Sequence, residues 1–450
     1  MRILVVNGSP KGKYSVTLQT LLFLEKKFAA HEFEYLHAGQ QINALAKDFS
    51  KAEKALRDAD LIIFSYPVYT CIATSQLHRF ISLLKSSGLD ISGKFAAQIT
   101  TSKHFYDFTA HKYIEENCCG LGLKYIRGLS ADMDDLTTEK GQKEAEEFMR
   151  YVLWCAENNI YEPAKDYSPA KRLPVTPVAE NSEGKSGDVV IVADLSGEDK
   201  GLKDMISRFR SVSAYKTRIV NLADIPMKGG CLGCFSCAPK GECVYDDGFA
   251  VALKNEIHSA DAIVYAFTIK DHSMGWLFKQ YDDRQFCNGH RPVTKGKPVG
   301  YLIGGNYPEE ANLKAIIEAR SEVGGNFLAG VACDQTDPDG EIDNLARKLA
   351  YAIENKLSLP ANFYGVGGMK VFRDMIWLMR GLMKADHKFY KKKGLYDFPQ
   401  RKVGTLIKMY FAGAFFSNEK LKARIGMKAI NEGMLMPYKK VIDKACEKKG

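Results

Sequence analysis

The sequence predicts an α/β fold made of two tandem, doubly wound parallel sheets followed by a basic helical C-terminal extension. Three observations predict it. Apolar runs that end in turn residues alternate with amphipathic stretches, this alternation occurs twice, and the last fifth of the chain is strongly basic. We expect the first domain at residues 1–162, a linker at 163–187, the second domain at 188–358 and the extension at 359–450.

The first domain opens with an apolar run at residues 3–7, which is typical of a strand buried on both faces of a sheet. Strands that alternate with helices of ordinary length indicate βαβ units and therefore a parallel sheet. Further strands are expected at residues 33–37, 61–65 and 95–100, and helices at 17–28, 50–58 and 74–86.

The same pattern recurs after a segment that has the composition of a linker. Residues 188–193 match the first strand, 259–265 match 58–63, and 297–303 match 94–99. The segment between the two copies contains four prolines and then a Ser/Gly/Lys stretch, as flexible connections do. These prolines are Pro163, Pro169, Pro174 and Pro177.

Charge and hydropathy narrow the classes of function. The 450 residues carry a net charge of +9, but residues 370–450 hold 20 Lys and Arg against 7 Asp and Glu, so the rest of the chain is slightly acidic. No motif for nucleic acid is recognisable, and no apolar run approaches the roughly 20 residues that a transmembrane helix needs. We expect no nucleic-acid partner, no transmembrane segment, no signal peptide and a cytoplasmic location.

The segment between the first strand and the first helix, residues 7–17, has the composition of a phosphate-binding loop. Ser9, Ser15 and Thr17 offer hydroxyl groups, and glycines free backbone N–H groups near a helix N-terminus. The segment is neither G-x-G-x-x-G nor a P-loop, which argues against a dinucleotide or a nucleoside triphosphate. A plain Gly/Ser turn with a helix cap is the alternative.

Two more loops are expected at the same edge of the sheet. The third strand runs into an aromatic turn, residues 65–70, and the fourth into a hydroxyl-rich loop, residues 100–107. In a doubly wound sheet, ligands bind where the first and third strands end, so a planar phosphorylated ring is the natural ligand. Lys103 or His104 could stabilise negative charge at the ring. Ordinary turn tyrosines and a capping histidine are the alternatives.

These motifs resemble those of the NADPH-dependent FMN reductase group of flavodoxin-like proteins. The resemblance covers about the first 160 residues and rests on Gly-Ser-Pro-Lys at 8–11, on Ser15 and Thr17, and on Tyr-Pro-Val-Tyr at 66–69. It implies FMN as cofactor, NAD(P)H as electron donor and a homodimer. The implied FMN-binding residues are Ser9, Lys11, Ser15, Val16 and Thr17 at the phosphate and Pro67, Val68, Tyr69, Thr70, Thr101, Ser102 and His104 at the ring.

Four cysteines in the second copy form the pattern C-x2-C-x2-C-x5-C, at Cys231, Cys234, Cys237 and Cys243. Thiolates in a tight loop suit an iron–sulfur cluster, and four thiolates also suit tetrahedral zinc. The spacing resembles that of iron–sulfur flavoproteins, which implies a [4Fe-4S] cluster. Zinc, free thiols and redox-active thiols remain open as alternatives.

The second copy departs from the first at its phosphate loop. Residues 194–200 contain three carboxylates where a phosphate dianion would lie, and like charges disfavour its binding. We therefore expect one FMN per chain, held by the first domain.

The predicted function is an FMN-dependent oxidoreductase that passes electrons from NAD(P)H to a flavin, a quinone or another small acceptor. The alternatives are an iron–sulfur flavoprotein that transfers electrons to a redox protein partner and a non-catalytic redox sensor. Within the extension, residues 365–382 predict a loop and then an amphipathic helix, which a lysine-rich, aromatic segment follows. It would dock on the body or on a second subunit, clamp an anionic ligand, or bind an anionic membrane or nucleic acid.

Overall fold

The computed structural model describes residues 1–164, 171–179, 184–397 and 402–416, together with a few single positions between 432 and 442. The chain divides into two compact units, residues 1–389 and 390–450. The first unit contains both sheets, and the second contains most of the basic segment. Each unit is described by itself.

The first domain is a six-stranded parallel sheet with the strand order β2-β1-β3-β4-β5, and β6 pairs with β4. This is the 2-1-3-4-5 order of a flavodoxin-like, doubly wound sheet. Residues 3–6 of β1 are almost completely buried because helices cover both faces of the sheet. The strands are β1 (Arg2–Asn7), β2 (Glu32–Leu36), β3 (Leu61–Pro67), β4 (Phe95–Ser102), β5 (Lys124–Tyr125) and β6 (Leu129–Asp132); the helices are α1 (Val16–Lys27), α2 (Ala38–Leu45), α3 (Ser50–Asp58), α4 (Ser75–Ser87), α5 (Asp107–Gly120) and α6 (Glu139–Glu157).

The second domain repeats this topology in a five-stranded parallel sheet with the order β8-β7-β9-β10-β11. The predicted tandem α/β fold is therefore confirmed. Strand β7 begins at Ser186, two residues before the predicted start of the second domain. The strands are β7 (Ser186–Ala193), β8 (Tyr215–Asn221), β9 (Ala262–Thr268), β10 (Pro298–Gly304) and β11 (Phe327–Cys333); the helices are α7 (Lys200–Val212), α8 (Cys237–Lys240), α9 (Phe249–Ala252), α10 (Trp276–Arg284), α11 (Ala311–Gly324) and α12 (Pro338–Glu354).

The two domains pack through equivalent helices. Helix α4 packs on α10, and each of them follows the third strand of its own sheet; α5 packs on α11, and each of them follows the fourth. The amide of Asn312 donates to the carbonyl of Thr109 at 3.0 Å, and that of Asn117 to the carbonyl of Asp271 at 3.1 Å. Pairing of equivalent surfaces is the geometry of a two-fold dimer interface, here formed within one chain.

The C-terminal region is helical in its described part, as the sequence predicts, with α13 (Phe363–Leu378), α14 (Lys384–Lys392) and α15 (Val403–Phe416). Helix α13 packs on α11, and Gly368 permits this close approach because a Cβ there would meet Val323 and Phe105. Ile376 on α13 is fully buried. The first part of the extension thus docks on the two-domain body. Within the part of the chain that the structure describes, no helix has the length and apolar character needed to cross a bilayer.

Candidate functional site

The loops after β1, β3 and β4 meet at one edge of the first sheet, because the carboxyl ends of parallel strands lie together. They line a cavity of about 410 Å³. Eleven of the twelve residues predicted at the cofactor line this cavity: Ser9, Lys11, Ser15, Val16, Thr17, Pro67, Val68, Tyr69, Thr70, Thr101 and Ser102. The twelfth, His104, is exposed, and its Nδ1 lies 2.7 Å from the carboxylate of Asp107.

The loop after β1 is held in place by hydrogen bonds of its own side chains. The side-chain amide of Asn7 donates to the carbonyl of Gly12 at 2.9 Å, and its oxygen accepts the N–H of Ser9 at 3.1 Å. The hydroxyl of Ser15 caps α1 by accepting from Leu18, and the hydroxyls of Thr17 and Thr101 lie 2.6 Å apart. Hydroxyls and a helix N-terminus that face one cavity favour a phosphate group.

The aromatic turn after β3 is held in an unusual backbone conformation. Tyr69 and Ile72 exchange backbone hydrogen bonds at 2.8 and 3.2 Å, while Thr70 and Cys71 have φ angles of 48° and 71°. Side chains at positive φ are strained, and such strain is maintained only where surrounding contacts fix the backbone. The turn is thus a rigid edge of the cavity.

A buried lysine of the second domain fixes this turn. The ammonium group of Lys279 donates to the carbonyl of Tyr69 at 2.8 Å and pairs with Asp283 and, at 3.4 Å, with Asp282. All three of these charged side chains are fully buried. Asp283 also accepts the backbone N–H of Ser75 at 2.7 Å, at the start of α4. The first domain's aromatic turn therefore depends on charges from the second copy.

The cysteine segment lies against the same cavity. Cys231, Cys234, Cys237 and Cys243 all line it. The segment packs closely on the aromatic turn: Gly233 has a φ of 61°, and a Cβ there would collide with the hydroxyl of Tyr69. The amide of Gln76 on α4 donates to the carbonyl of Cys231 at 3.2 Å.

The four motif thiols fit a metal cluster in donor type. Burial raises the pKa of Cys231 to about 12 and that of Cys237 to about 11. Both thiols therefore stay protonated unless a metal ion binds the sulfur and displaces the proton. Within the described residues, no three Cys, His, Asp or Glu side chains stand close enough together to hold a metal ion. Binding of a cluster would therefore require the thiol side chains to turn toward one another.

Besides the four motif cysteines and Cys71 of the aromatic turn, another cysteine lies at this site and was missed from the sequence. Cys287 follows α10, is buried and lines the cavity. Its pKa is raised to about 11 by burial and by its neighbours Cys243 and Cys237. It lies 44 positions beyond the motif's last cysteine, so no spacing rule connects it to the motif.

Helix α13 supplies another wall of the cavity. Its residues Val371, Phe372 and Met375 line the cavity. Phe372 stacks on Phe105 with ring centroids 4.4 Å apart and meets His290 at 4.8 Å. The apolar pattern of the sequence predicted this helix, but it did not predict that the helix lines the cavity.

In the second domain, residues 194–200 take the place of the first domain's phosphate loop, and the linker residue Arg172 pairs with them. The guanidinium of Arg172 makes two hydrogen bonds to Asp199, at 2.8 and 3.0 Å, and one to Asp334. Burial opposes ionisation of Asp199, but hydrogen bonds from Arg172, Thr268 and Leu202 outweigh it and lower the pKa to about 2. Asp199, one of the three carboxylates of residues 194–200, is thus paired within the chain. A single flavin site per chain stays a prediction.

Comparison with known proteins identifies the family. The sequence model of the family described as NADPH-dependent FMN reductase matches residues 1–127. An iron–sulfur flavoprotein of Archaeoglobus fulgidus is 31% identical over 175 residues, which cover 36% of this chain and 78% of the relative. The chain belongs to the iron–sulfur flavoprotein group of the NADPH-dependent FMN reductase family.

Solved structures similar to this FMN reductase family member share little sequence with it. An NAD(P)H:quinone oxidoreductase from Methanothermobacter marburgensis is 13% identical, with 37% of this chain and 99% of that chain covered and a TM-score of 0.28. General stress protein 14 from Treponema denticola, in complex with FMN, is 13% identical, with 35% and 99% covered and a TM-score of 0.27. The flavodoxin-like fold is assigned from the strand orders of the two sheets, not from these scores.

Proposed function

We propose that this protein is an FMN-dependent NAD(P)H oxidoreductase that passes electrons from a nicotinamide through FMN to a flavin, a quinone or another small acceptor. One observation carries the proposal: the three loops after β1, β3 and β4 converge on one cavity with hydroxyls and a helix N-terminus at one end and a rigid aromatic turn beside them. Membership of the family supports the same cofactor.

In this proposal the phosphate is held by Ser9, Lys11, Ser15, Val16 and Thr17, and the ring by residues 67–70 with Thr101 and Ser102. His104 stays a prediction. FMN, when bound, would supply the hydride and redox chemistry, so the chain needs no general base. The residues of the chain orient the ring: Lys279 fixes the turn on one side, and hydroxyls of the β4 loop offer hydrogen bonds to its polar edge.

The apolar side chains that line the rest of the cavity favour a small, planar and largely apolar electron acceptor. Phe105, Phe286, Phe372 and Met375 line the cavity and come from the first domain, the second domain and α13. Ligand sites of this kind are mostly apolar, with a few polar groups that set orientation. A quinone or a second flavin has the shape and polarity that these walls accept.

A second candidate function is electron transfer to a redox protein partner through a [4Fe-4S] cluster. The observation that favours it is that the four motif cysteines line the flavin cavity itself. Cys231, Cys234, Cys237 and Cys243 would hold the cluster, which would supply single-electron steps when bound. We place the protein in the cytoplasm, as its cysteine content predicts. A homodimer would need a face other than the α4/α5 surface, since the second copy already covers that surface.

Anaerobic mixing of the FMN-loaded protein with NADH or NADPH tests the proposal. We expect the visible flavin absorbance to bleach without any partner reductase, and to return when a soluble quinone is added. Flavin that is reduced by dithionite but by neither nucleotide would contradict the oxidoreductase and favour the electron-transfer protein. The variant in which all four motif cysteines are replaced by serine shows whether bleaching depends on a cluster.

A further inference from the structure

The segment that follows the two-domain body carries an apolar helix whose large side chains face solvent. Helix α15 has one charged residue, Lys408, among its fourteen. Five of its large apolar residues recur at helical spacing and form a stripe along one face, while Met409, also exposed, lies off that face. Tyr410 and Phe411 are 82% and 74% exposed. The exposed members of this stripe are Val403, Leu406, Ile407, Tyr410 and Phe411.

The unit to which α15 belongs is strongly basic. Residues 390–450 contain 15 Lys and Arg and 5 Asp and Glu, a net charge of +10, which leaves −1 for residues 1–389. Soluble proteins rarely leave a contiguous apolar surface uncovered, and an exposed one marks an interaction site. The occupant of this site must therefore cover apolar side chains and also attract positive charge.

We propose that residues 390–450 dock on the surface of an anionic lipid bilayer, with α15 lying in the plane of the interface. The fourteen residues of α15 that the structure describes span about 21 Å as a helix, shorter than the ~30 Å hydrocarbon core, so the proposal places them on the membrane surface and not across it. Its stripe enters the acyl boundary, and Tyr410 is an aromatic residue of the kind that anchors at this depth. Lysines and arginines of the unit attract acidic headgroups.

The other occupants fit the two observations less well. A second copy of the unit would also carry a net charge of +10, so the two copies would repel each other. A nucleic acid would satisfy the charge but leave the apolar stripe in water. An anionic bilayer is the one surface that combines negative headgroups with an apolar interior. The proposal rests on this unit alone and is independent of the flavin chemistry proposed above.

Flotation of the full-length protein with phosphatidylcholine vesicles, with and without phosphatidylglycerol, tests the proposal. We expect binding to the vesicles that contain phosphatidylglycerol, much weaker binding to pure phosphatidylcholine, and loss of binding as salt is raised. The double variant Tyr410→Ser/Phe411→Ser should weaken vesicle binding by about tenfold for each side chain removed.

The matched control is Tyr151→Ser/Trp154→Ser, which removes two exposed aromatic side chains from α6 of the body. It should bind vesicles as the unchanged protein does, and both double variants should keep their FMN content. No binding to phosphatidylglycerol vesicles at low salt would overturn the proposal. If the Tyr410→Ser/Phe411→Ser variant bound these vesicles as tightly as the unchanged protein, the proposal would be overturned too. The same holds if light scattering showed a dimer for the unchanged protein and a monomer for this variant while vesicle binding stayed the same.

Discussion

Replacing Lys279 with methionine is expected to lower the free energy of unfolding by about 3–5 kcal/mol, because it removes one partner from a buried ion cluster and leaves Asp283 without its cation. The aromatic turn loses the donor to the Tyr69 carbonyl in the same step, so FMN binding weakens as well. Denaturant unfolding followed by circular dichroism measures the change.

Two comparison variants make this result specific. Lys200→Met removes an exposed lysine that pairs with Asp204 on α7 and should change the unfolding free energy by less than about 0.5 kcal/mol. Lys279→Met/Asp283→Asn removes both charges and should recover part of the loss, since burial already raises the pKa of Asp283 and an amide can still accept from Ser75. A Lys279→Met protein as stable as the unchanged chain would show that the cluster does not hold the domains together.

Ser15→Asp is expected to weaken FMN binding by at least two orders of magnitude while leaving the fold intact. Aspartate is as good a helix N-cap as serine, so α1 keeps its cap. The new carboxylate faces the phosphate position, where repulsion of about 3 kcal/mol corresponds to roughly a hundredfold in affinity. Quenching of flavin fluorescence on titration gives the dissociation constant.

The matched control for this charge is Thr138→Asp. Thr138 caps α6 of the same domain by accepting from Gly141, and it does not line the cavity. This variant should bind FMN normally. If Ser15→Asp bound FMN as tightly as the unchanged protein, the phosphate would have to lie elsewhere.

The site was predictable from sequence where local patterns determine it. The apolar runs at residues 3–7 and 61–65 predicted the strands β1 and β3, which pair in parallel. In a parallel sheet the loops that follow such strands must meet at one edge. The residues that were missed act through contacts between parts of the chain that lie far apart in sequence. Lys279 contacts a carbonyl 210 positions away, and Arg172 pairs with a carboxylate 162 positions away.

Such contacts depend on how the two copies pack, and no periodicity within either copy encodes that packing. The Cys287 thiol shows the same limit, since its place beside the motif depends on the turn after α10 and not on spacing. Helix α13 was predicted from its apolar pattern, but the surface that it covers, α11 and the cavity edge, follows only from the three-dimensional structure.

The central claim is that each chain holds one FMN, in the cavity that the first domain's loops form and the second copy completes. An anaerobic titration of the apoprotein with FMN, read as equivalents bound per chain, tests it most directly. The account predicts one equivalent for the unchanged protein and, for Ser15→Asp, binding that is at least a hundredfold weaker. Two equivalents for the unchanged protein, or binding by Ser15→Asp that is as tight as that of the unchanged protein, would contradict it.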